Sequence, residues 1–255
     1  MGILCVDNVS RSFGGINALD VVSFDVEDGS ITALIGPNGA GKTTLINIIS
    51  GLDKPDSGNI NFAGEQIQEL PGHVVAARGV TRTFQILKGF QSLTLLENVM
   101  IGGHLWHKTG FWKSLLPFAH TATEERNLKN RAMSLLQLVK LDAQANRPLC
   151  ELPHGQQRMV DLARALCVNP RIMLLDEPGA GLNPREIDQL EETIRTARDR
   201  GTTILLVEHN MRMVMKVSEK IVVLNFGRKI AEGTPETVCN DPVVTEAYLG
   251  KEQNV

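Results

Sequence analysis

The stretch Gly36–Thr43, with the sequence GPNGAGKT, constrains the fold of this chain more than any other. It fits the phosphate-loop pattern, in which a glycine and four free positions precede Gly-Lys-Ser/Thr. The apolar segment before it, Ile31–Ile35, predicts a buried strand, and residues 44–49, which run into Gly51, predict a helix. Because glycine lets backbone N–H groups converge on phosphate oxygens, strand, loop and helix together predict a nucleotide-phosphate site.

Two residues of this loop have separate predicted roles. Lys42 is predicted to reach the β- and γ-phosphates, and the Thr43 hydroxyl is predicted to bind Mg²⁺. The alternative is a glycine turn beside a chance lysine, and the filled fixed positions and the flanking strand and helix patterns argue against it. The predicted nucleotide-binding residues of this segment are Gly36, Pro37, Asn38, Gly39, Ala40, Gly41, Lys42, Thr43 and Thr44.

The composition is that of an ordinary globular protein, since 42% of the 255 residues are hydrophobic and 22% are charged. The net charge of −3 gives no indication of a nucleic-acid partner. The four cysteines lack metal-ligand spacing, which predicts free thiols in a reducing compartment. Neither a signal-peptide pattern nor an apolar run of about 18 residues is present, so we expect any membrane role to come through partner chains.

Strand and helix patterns alternate along most of the chain, which predicts an α/β fold with a mostly parallel sheet. Residues 95–150 differ, because they show a helical period from Glu124 to Leu141 and little that resembles a strand. This region is therefore predicted to be a helical subdomain. The other predicted strands are residues 3–10, 20–27, 59–62, 171–175, 202–207 and 221–224, and the other predicted helices are residues 155–166 and 184–200.

Two adjacent carboxylates follow the predicted strand at 171–175. In a parallel sheet the carboxyl ends of the strands line the ligand crevice, so Asp176 and Glu177 are predicted to lie near the phosphates. Asp176 is assigned to Mg²⁺ or its water shell, and Glu177 to accepting a proton from the attacking water. The alternative is a solvated loop with two acids, which the phosphate loop elsewhere in the chain argues against.

These two motifs, with Leu152–Arg158 (LPHGQQR) between them, resemble those of ABC-type ATPases, the motor subunits of ABC transporters. The resemblance covers about residues 4–250. The family's signature is usually Leu-Ser-Gly-Gly-Gln, and this chain keeps its Leu, one Gly and its Gln but has Pro153 and His154 in the middle. The resemblance implies the P-loop NTPase fold of ABC-type ATPases, with a mostly parallel sheet, an antiparallel β subdomain and an inserted helical subdomain.

Boundaries, substrate and metal follow from the same resemblance. It implies a single ABC ATPase domain over residues 1–255, with its core at 1–89 and 169–255 and the helical subdomain at about 90–168. It also implies ATP and Mg²⁺ as the bound molecules and ATP hydrolysis as the activity.

Three further residues take roles from the resemblance. Gln85 matches the family's glutamine between core and helical subdomain, and is assigned to catalysis and to the metal shell. His209 matches the switch histidine, which donates to a γ-phosphate oxygen, and Phe13 matches the aromatic residue that stacks on adenine. Without the resemblance, Phe13 would more often be interpreted as a core residue and His209 as a structural hydrogen-bonding residue. Gln85 alone would indicate no function.

The signature segment is implied to act on a second chain. In the family it begins a helix and faces the nucleotide of the opposite subunit, so His154, Gly155 and Gln156 are assigned to nucleotide binding. Pro153 removes the serine hydroxyl that would contact the γ-phosphate, and the three assigned residues could cover that contact. Two ATPase subunits, as a homodimer or a heterodimer, are expected to close head to tail over two ATP molecules.

The sequences of several segments resemble those of the ATPase subunits of bacterial branched-chain amino-acid importers, which have urea and amide importers as relatives. These segments are Leu152–Arg158, Gly179–Pro184, Val207–Met211 and Glu246–Gly250. The resemblance implies a peripheral protein on the cytoplasmic face of the inner membrane, with separate permease subunits and, indirectly, a periplasmic or extracellular solute-binding protein. The alternatives are an export or lipid-extraction motor and a soluble, non-transport ABC ATPase.

A surface for the permease is expected as a groove between Gln85, the segment 86–100 and the helical subdomain, with cysteines near Leu87 or Leu95 as crosslinking probes. The aromatic-rich segment 104–118 is predicted either as satellite core or as part of that surface. Its histidine pair, His104 and His107, is a weaker metal candidate than a packed helix face, because no further ligands accompany it.

Overall fold

The computed structural model describes residues 2–83, 90–104 and 119–249. In chain order the strands are β1 (Leu4–Phe13), β2 (Ile16–Val26), β3 (Ile31–Ile35), β4 (Ser57–Phe62), β5 (Glu65–Gln66), β6 (Val80–Arg82), β7 (Ile172–Asp176), β8 (Thr203–Val207), β9 (Lys220–Asn225) and β10 (Arg228–Gly233). The helices are α1 (Lys42–Ile49), α2 (Gly72–Ala77), α3 (Leu95–His104), α4 (Ala119–Leu138), α5 (His154–Cys167), α6 (Pro184–Asp199), α7 (Met211–Val217), α8 (Pro235–Cys239) and α9 (Pro242–Leu249).

The chain divides into two compact units. The first comprises the residues up to Arg82, Arg171–Gly179, and the residues from Ile194 onward. The second comprises Thr83–Pro170 and Ala180–Thr193. The second unit therefore spans the residues predicted to form the helical subdomain and, in addition, the first part of α6, which lies within the predicted core.

A six-stranded sheet forms the centre of the first unit, in the order β10-β9-β3-β8-β7-β6. Every pairing is parallel except that of the edge strand β10 with β9, which confirms the predicted mostly parallel sheet. Strands β3, β7 and β8 are buried at every position. Burial on both faces explains why their sequences are continuous apolar runs rather than alternating ones.

The first unit also contains a four-stranded sheet in the order β2-β1-β4-β5, with antiparallel pairings throughout. It corresponds to the expected antiparallel β subdomain. Its strands alternate between buried and exposed positions, as the sequence of residues 3–10 and 20–27 predicted. A large core cluster joins buried residues of both sheets and of α1, including Val6, Phe62 and Ile46.

The second unit is helical in its described residues, apart from an isolated bridge between Thr94 and Pro148. Helix α3 begins with a capping box, in which Glu97 N–H donates to Thr94 Oγ1 at 3.2 Å and Thr94 N–H donates to Glu97 Oε2 at 2.8 Å. Helix α5 buries the predicted face of Met159, Leu162, Ala163 and Leu166.

Element ends differ from the sequence-based bounds where backbone conformation intervenes. Helix α4 ends at Leu138 rather than Leu141, because Lys140 adopts a left-handed conformation with φ 58°. Helix α1 ends as predicted before Gly51, whose φ is 70°. The unpredicted elements are short or polar, and include the three-residue strand β6 and the edge strand β10. Within the described ranges, no helix combines the length and the apolar character that a membrane span requires.

Candidate functional site

Four strand ends meet at one edge of the six-stranded sheet. Since β3, β8, β7 and β6 are adjacent and parallel, the segments that follow them lie side by side. These segments are the phosphate loop, the Glu208–His209 pair, the end of β7 with Glu177, and the end of β6 with Arg82. Topology alone therefore brings four separate stretches of sequence to one crevice.

The phosphate loop after β3 requires glycine at two positions in particular. Gly36 has φ 148°, and a Cβ there would overlap the carbonyl oxygen of Leu224. Gly41 has φ 104°, and a Cβ there would overlap the carbonyl oxygen of Ala18. Because an L side chain is strained at these φ angles and lacks space, the loop can form only with glycine at these positions.

Lys42 lies inside this loop. The residue is 7% exposed, and its Nζ donates to the carbonyl oxygens of Gly36 at 2.6 Å and Pro37 at 3.0 Å. The ammonium is thereby held at the start of α1, where the helix dipole also favours an anion. Thr43 is exposed, so its hydroxyl is accessible beside the ammonium. The two residues fit the predicted triphosphate site.

Asp176 is 4% exposed and forms a buried ion pair, with Arg82 Nη2 at 2.8 Å from its Oδ2. Arg82 also donates from Nη1 to Oδ1 of Asn47 in α1, at 2.6 Å. The other carboxylate oxygen, Oδ1, has no hydrogen-bond partner among the described residues. A buried carboxylate oxygen without a partner, with the accessible Thr43 hydroxyl on the same sheet edge, is the kind of donor set that Mg²⁺ takes together with phosphate oxygens. The residues present therefore fit a magnesium ion.

Glu177 follows directly in a left-handed conformation, with φ 48°, and its N–H donates to the carbonyl oxygen of Val207 at 2.9 Å. Positive φ is uncommon for a residue with a side chain and concentrates at functional sites. The turn separates Glu177, which is half-buried, from the buried Asp176. The adjacent carboxylates therefore occupy different environments, as their separate predicted roles require.

The segment after β8 contains His209, whose side chain is 61% exposed. The residue before it, Glu208, has a completely buried side chain whose carboxylate accepts backbone N–H groups. Asn210 caps α7 by accepting from Met213 N–H at 3.2 Å. The imidazole is therefore exposed at the sheet edge on a segment whose backbone is fixed on both sides.

Phe13 ends β1 in the other sheet of this unit and is 47% exposed. The guanidinium of Arg11 lies over its ring, 4.7 Å from the centroid, which is within cation–π range. Arg11 is held in turn by Asp53 and Asp56 at 2.8 and 2.7 Å. The exposure excludes the alternative that Phe13 is a core residue.

The signature segment belongs to the second unit. Helix α5 begins at His154, after Pro153 as N-cap, whose side chain makes no capping hydrogen bond. His154 is exposed, whereas Gly155 is buried against Glu186, whose carboxylate a Cβ at this position would overlap. The start of α5 therefore combines an exposed imidazole with the N–H groups of a helix N-terminus, which favour an anion, and the carboxylate of Glu186 adjoins it at Gly155.

The structure thus brings together Lys42, Thr43, Asp176, Glu177 and His209 within one unit, and places His154–Gln156 at a helix start in the other. Gln85 lies outside the described residues, as do Leu87 and the aromatic segment 105–118. Sequence reasoning missed Arg82 and Glu208. The signal for both is a charged residue at or directly after a short run of strand residues, the same signal that identified Asp176.

Comparisons with known proteins agree with this geometry. Residues 19–180 match the family described as ABC transporter, and residues 228–253 match the family described as branched-chain amino acid ATP-binding cassette transporter. The chain is 42% identical over 250 residues to the high-affinity branched-chain amino acid transport ATP-binding protein BraF of Pseudomonas aeruginosa, covering 98% of each chain. It is 40% identical over 250 residues to LivG of Escherichia coli, described as a protein of the same kind, again covering 98% of each.

Solved structures are similar as well. The ADP conformation of MJ1267, an ATP-binding cassette of an ABC transporter, superposes with a TM-score of 0.85 at 33% identity, over 98% of this chain and 99% of that one. The dimeric post-hydrolysis state of the cassette MJ0796, bound to ADP and Pi, superposes with a TM-score of 0.75 at 26% identity, over 91% and 98%.

Proposed function

Because the chain belongs to the ABC transporter family of ATP-binding proteins, we propose that it is the ATP-hydrolysing subunit of an importer for branched-chain amino acids or related small solutes. The observation that supports the solute class is the identity of 40–42% to branched-chain amino acid transport proteins over 98% of each chain. The match of residues 228–253 to a branched-chain family supports it separately.

In the proposed reaction, water attacks the γ-phosphorus of ATP, the bond to the β–γ bridging oxygen breaks, and ADP leaves. Lys42 and the N–H groups of the loop hold the phosphate oxygens, and Glu177 accepts the proton of the attacking water. His209 donates to a γ-phosphate oxygen, with Gln85 contributing from the neighbouring loop and Phe13 stacking on adenine. Mg²⁺, when held by Thr43, Gln85 and Asp176, supplies positive charge against the phosphates.

The proposed catalytic site is completed by a second subunit, of the same or a related sequence. His154, Gly155 and Gln156 of one chain would contact the nucleotide held by the phosphate loop of the other. The start of α5, where His154 is exposed, supports this assignment, as does the likeness to a cassette solved as a dimer. The arrangement makes hydrolysis depend on association, since the phosphate loop of each chain would be completed only by the 154–156 segment of the other chain.

The proposed partners are separate permease subunits and, through them, a periplasmic or extracellular solute-binding protein. The proposed location is the cytoplasmic face of the inner membrane. Both proposals are supported by the similarity to relatives that are transport ATP-binding proteins. Motion of the ATPase dimer would then be passed to the permease as rigid-body displacement, and the solute would not touch this chain.

Reconstitution tests the proposal. The chain is purified with its permease subunits, placed in lipid vesicles, and assayed for ATP hydrolysis and leucine uptake with a leucine-loaded binding protein. Uptake that requires ATP and fails with Glu177→Gln would support import. Outward movement of solute or lipid would indicate an export motor instead, and full activity without any membrane subunit would indicate a non-transport ATPase.

The permease contact can be tested by crosslinking, with probe positions chosen from the structure. Cysteine probes were expected near Leu87 or Leu95, but Leu95 is completely buried in α3, so a cysteine at that position cannot reach a partner. Ser92 is exposed three residues earlier and replaces it, after the exposed Cys150 and Cys239 are changed to serine. Crosslinks from Ser92→Cys to a permease, with a yield that changes on adding ATP, are expected. A cysteine at the exposed Asp199, in the other unit, is the matched control.

A further inference from the structure

Glu208 is a carboxylate where the sheet would be expected to end in an apolar or neutral residue. It follows the fully buried strand β8, and its own side chain is 0% exposed. Removing a carboxylate from water costs several kcal/mol unless charge-assisted hydrogen bonds replace the lost hydration. A residue of this kind must therefore be compensated by its surroundings.

Three backbone N–H groups provide that compensation. Gly179 N–H donates to Oε1 at 2.8 Å, while His209 and Asn210 N–H donate to Oε2 at 2.7 and 3.0 Å. The imidazole Nδ1 of His209 is 3.6 Å from Oε2, which is too long for a hydrogen bond. The carboxylate therefore fixes the backbone of the segment that carries His209 and leaves the imidazole exposed.

The donors belong to two different segments of the chain. Gly179 lies two residues after Glu177, the proposed proton acceptor, and His209 is the proposed donor to the γ-phosphate. A further bond, from Glu177 N–H to Val207 O at 2.9 Å, ties the same two segments one residue nearer the sheet. One carboxylate thus spans the two segments on which the proposed hydrolysis depends, and its two oxygens are divided between them.

We propose that Glu208 is a positioning residue for hydrolysis, which sets the backbone of the Glu177–Gly179 turn relative to that of His209. This inference rests on the proposed function, because it assumes that Glu177 and His209 act on one phosphate. The proton acceptor and the hydrogen-bond donor to the phosphate must be positioned to within a fraction of an ångström. A displacement of about 1 Å can cost about 100-fold in rate. A rigid bridge between their backbones satisfies this requirement without contact with nucleotide.

Glu208→Gln is the informative substitution. It keeps the size of the side chain, but its single carbonyl oxygen can serve only one of the two segments, and its NH₂ group faces N–H donors on the other. We expect kcat to fall about 10- to 100-fold while KM for ATP stays within about twofold, because the phosphate loop is unaltered. Val222→Ala, a core change in β9, is the stability control, since it lowers Tm without removing a bond to either segment.

A double-mutant cycle with His209→Ala separates positioning from general destabilisation. If Glu208 acts through His209, Glu208→Gln should lower the single-turnover rate far less in the His209→Ala background than in the parent. Equal losses in both backgrounds, or a loss no larger than that of Val222→Ala at matched Tm, would overturn the inference. If the parent hydrolyses ATP and Glu208→Gln has the same kcat as the parent, the inference is also overturned. A parent without ATP hydrolysis would instead overturn the proposed function, which keeps the two failures distinct.

Discussion

The two candidate nucleotide-binding surfaces of the molecule are built in opposite ways. At the edge of the parallel sheet, Lys42 and Asp176 are 7% and 4% exposed, and each is held by hydrogen bonds or an ion pair from its own unit. At the start of α5, His154 is exposed and the N-cap residue, Pro153, makes no side-chain capping bond. The side chains at the sheet edge are already held in place by the protein, whereas the start of α5 presents hydrogen-bond donors at the surface.

The difference has a physical reason. Groups that must stabilise charge as a bond breaks are most effective when they are already oriented and shielded from water. A surface that must meet a ligand carried by another chain has to remain accessible, and a helix start supplies N–H groups for it. The molecule therefore combines a preformed half of the proposed catalytic site with an open half, as the proposed dimer requires.

The largest effect is expected from Glu177→Gln in the preformed half. Loss of the carboxylate removes the proton acceptor and should lower kcat by about 100- to 10,000-fold, while shape and phosphate contacts remain. The variant should bind ATP and accumulate as an ATP-bound dimer, measured by gel filtration with and without ATP. Hydrolysis within a few-fold of the parent would show that Glu177 is not the base.

The next largest effect is expected from Arg82→Met, which should lower the free energy of unfolding. It leaves the carboxylate of Asp176 buried without its cation, a change that typically costs about 3–5 kcal/mol. The matched control is Lys140→Met in the second unit, where the pair with Glu192 has side chains 59% and 62% exposed. That pair should contribute at most about 1 kcal/mol. Similar midpoints of urea unfolding for the two variants would contradict the contrast between a buried and an open electrostatic arrangement.

Local sequence signals identified the residues that the structure places in the preformed half. The phosphate loop and the Asp176–Glu177 pair are contiguous motifs, and their strands are apolar runs that can be recognised without knowledge of the fold. The contacts that these motifs make with Arg82 and Glu208 could not be predicted, because the contacting residues are distant in sequence. Arg82 lies 94 residues from Asp176, and the N–H that Glu208 binds in the neighbouring turn lies 29 residues away.

The open half was harder to interpret from sequence. The helix at 155–166 and its buried face were predicted, because the 3.6-residue period is a local signal. The contact between Gly155 and Glu186 was not predicted, since Glu186 lies on the next helix of the unit. This contact changes the design of an experiment: Gly155→Asp would place a second carboxylate against Glu186 and disturb its own unit, whereas His154→Asp would not.

A smaller difference is expected in the rate at which the thiols of the two units react. Each unit has one exposed cysteine and one protected cysteine. Cys239 and Cys150 are exposed and should react quickly with a thiol reagent at pH 8. The hydrogen bond to Asp25, burial and nearby negative charge raise the pKa of Cys5 to about 11, and burial raises the pKa of Cys167. A raised pKa leaves the thiol neutral at pH 8, so both should react slowly in the native protein and quickly in urea. Fast labelling of all four native thiols would contradict the structure.

The central claim, that one site is assembled from the two surfaces on different chains, can be tested by mixing two inactive variants. Lys42→Ala removes the ammonium of the preformed half. His154→Asp places a carboxylate on the open half, where it should repel phosphate but not harm the helix, since an acid at a helix start is favourable.

In a mixed dimer both defects fall on one composite site and leave the other intact. We therefore predict that each variant alone is inactive and that an equal mixture regains about a quarter of the parental number of working sites, if the chains pair at random. ATP hydrolysis is measured on mixtures in which two affinity tags prove that mixed dimers have formed. Recovered hydrolysis would establish the split site, and mixed dimers that remain inactive would contradict it.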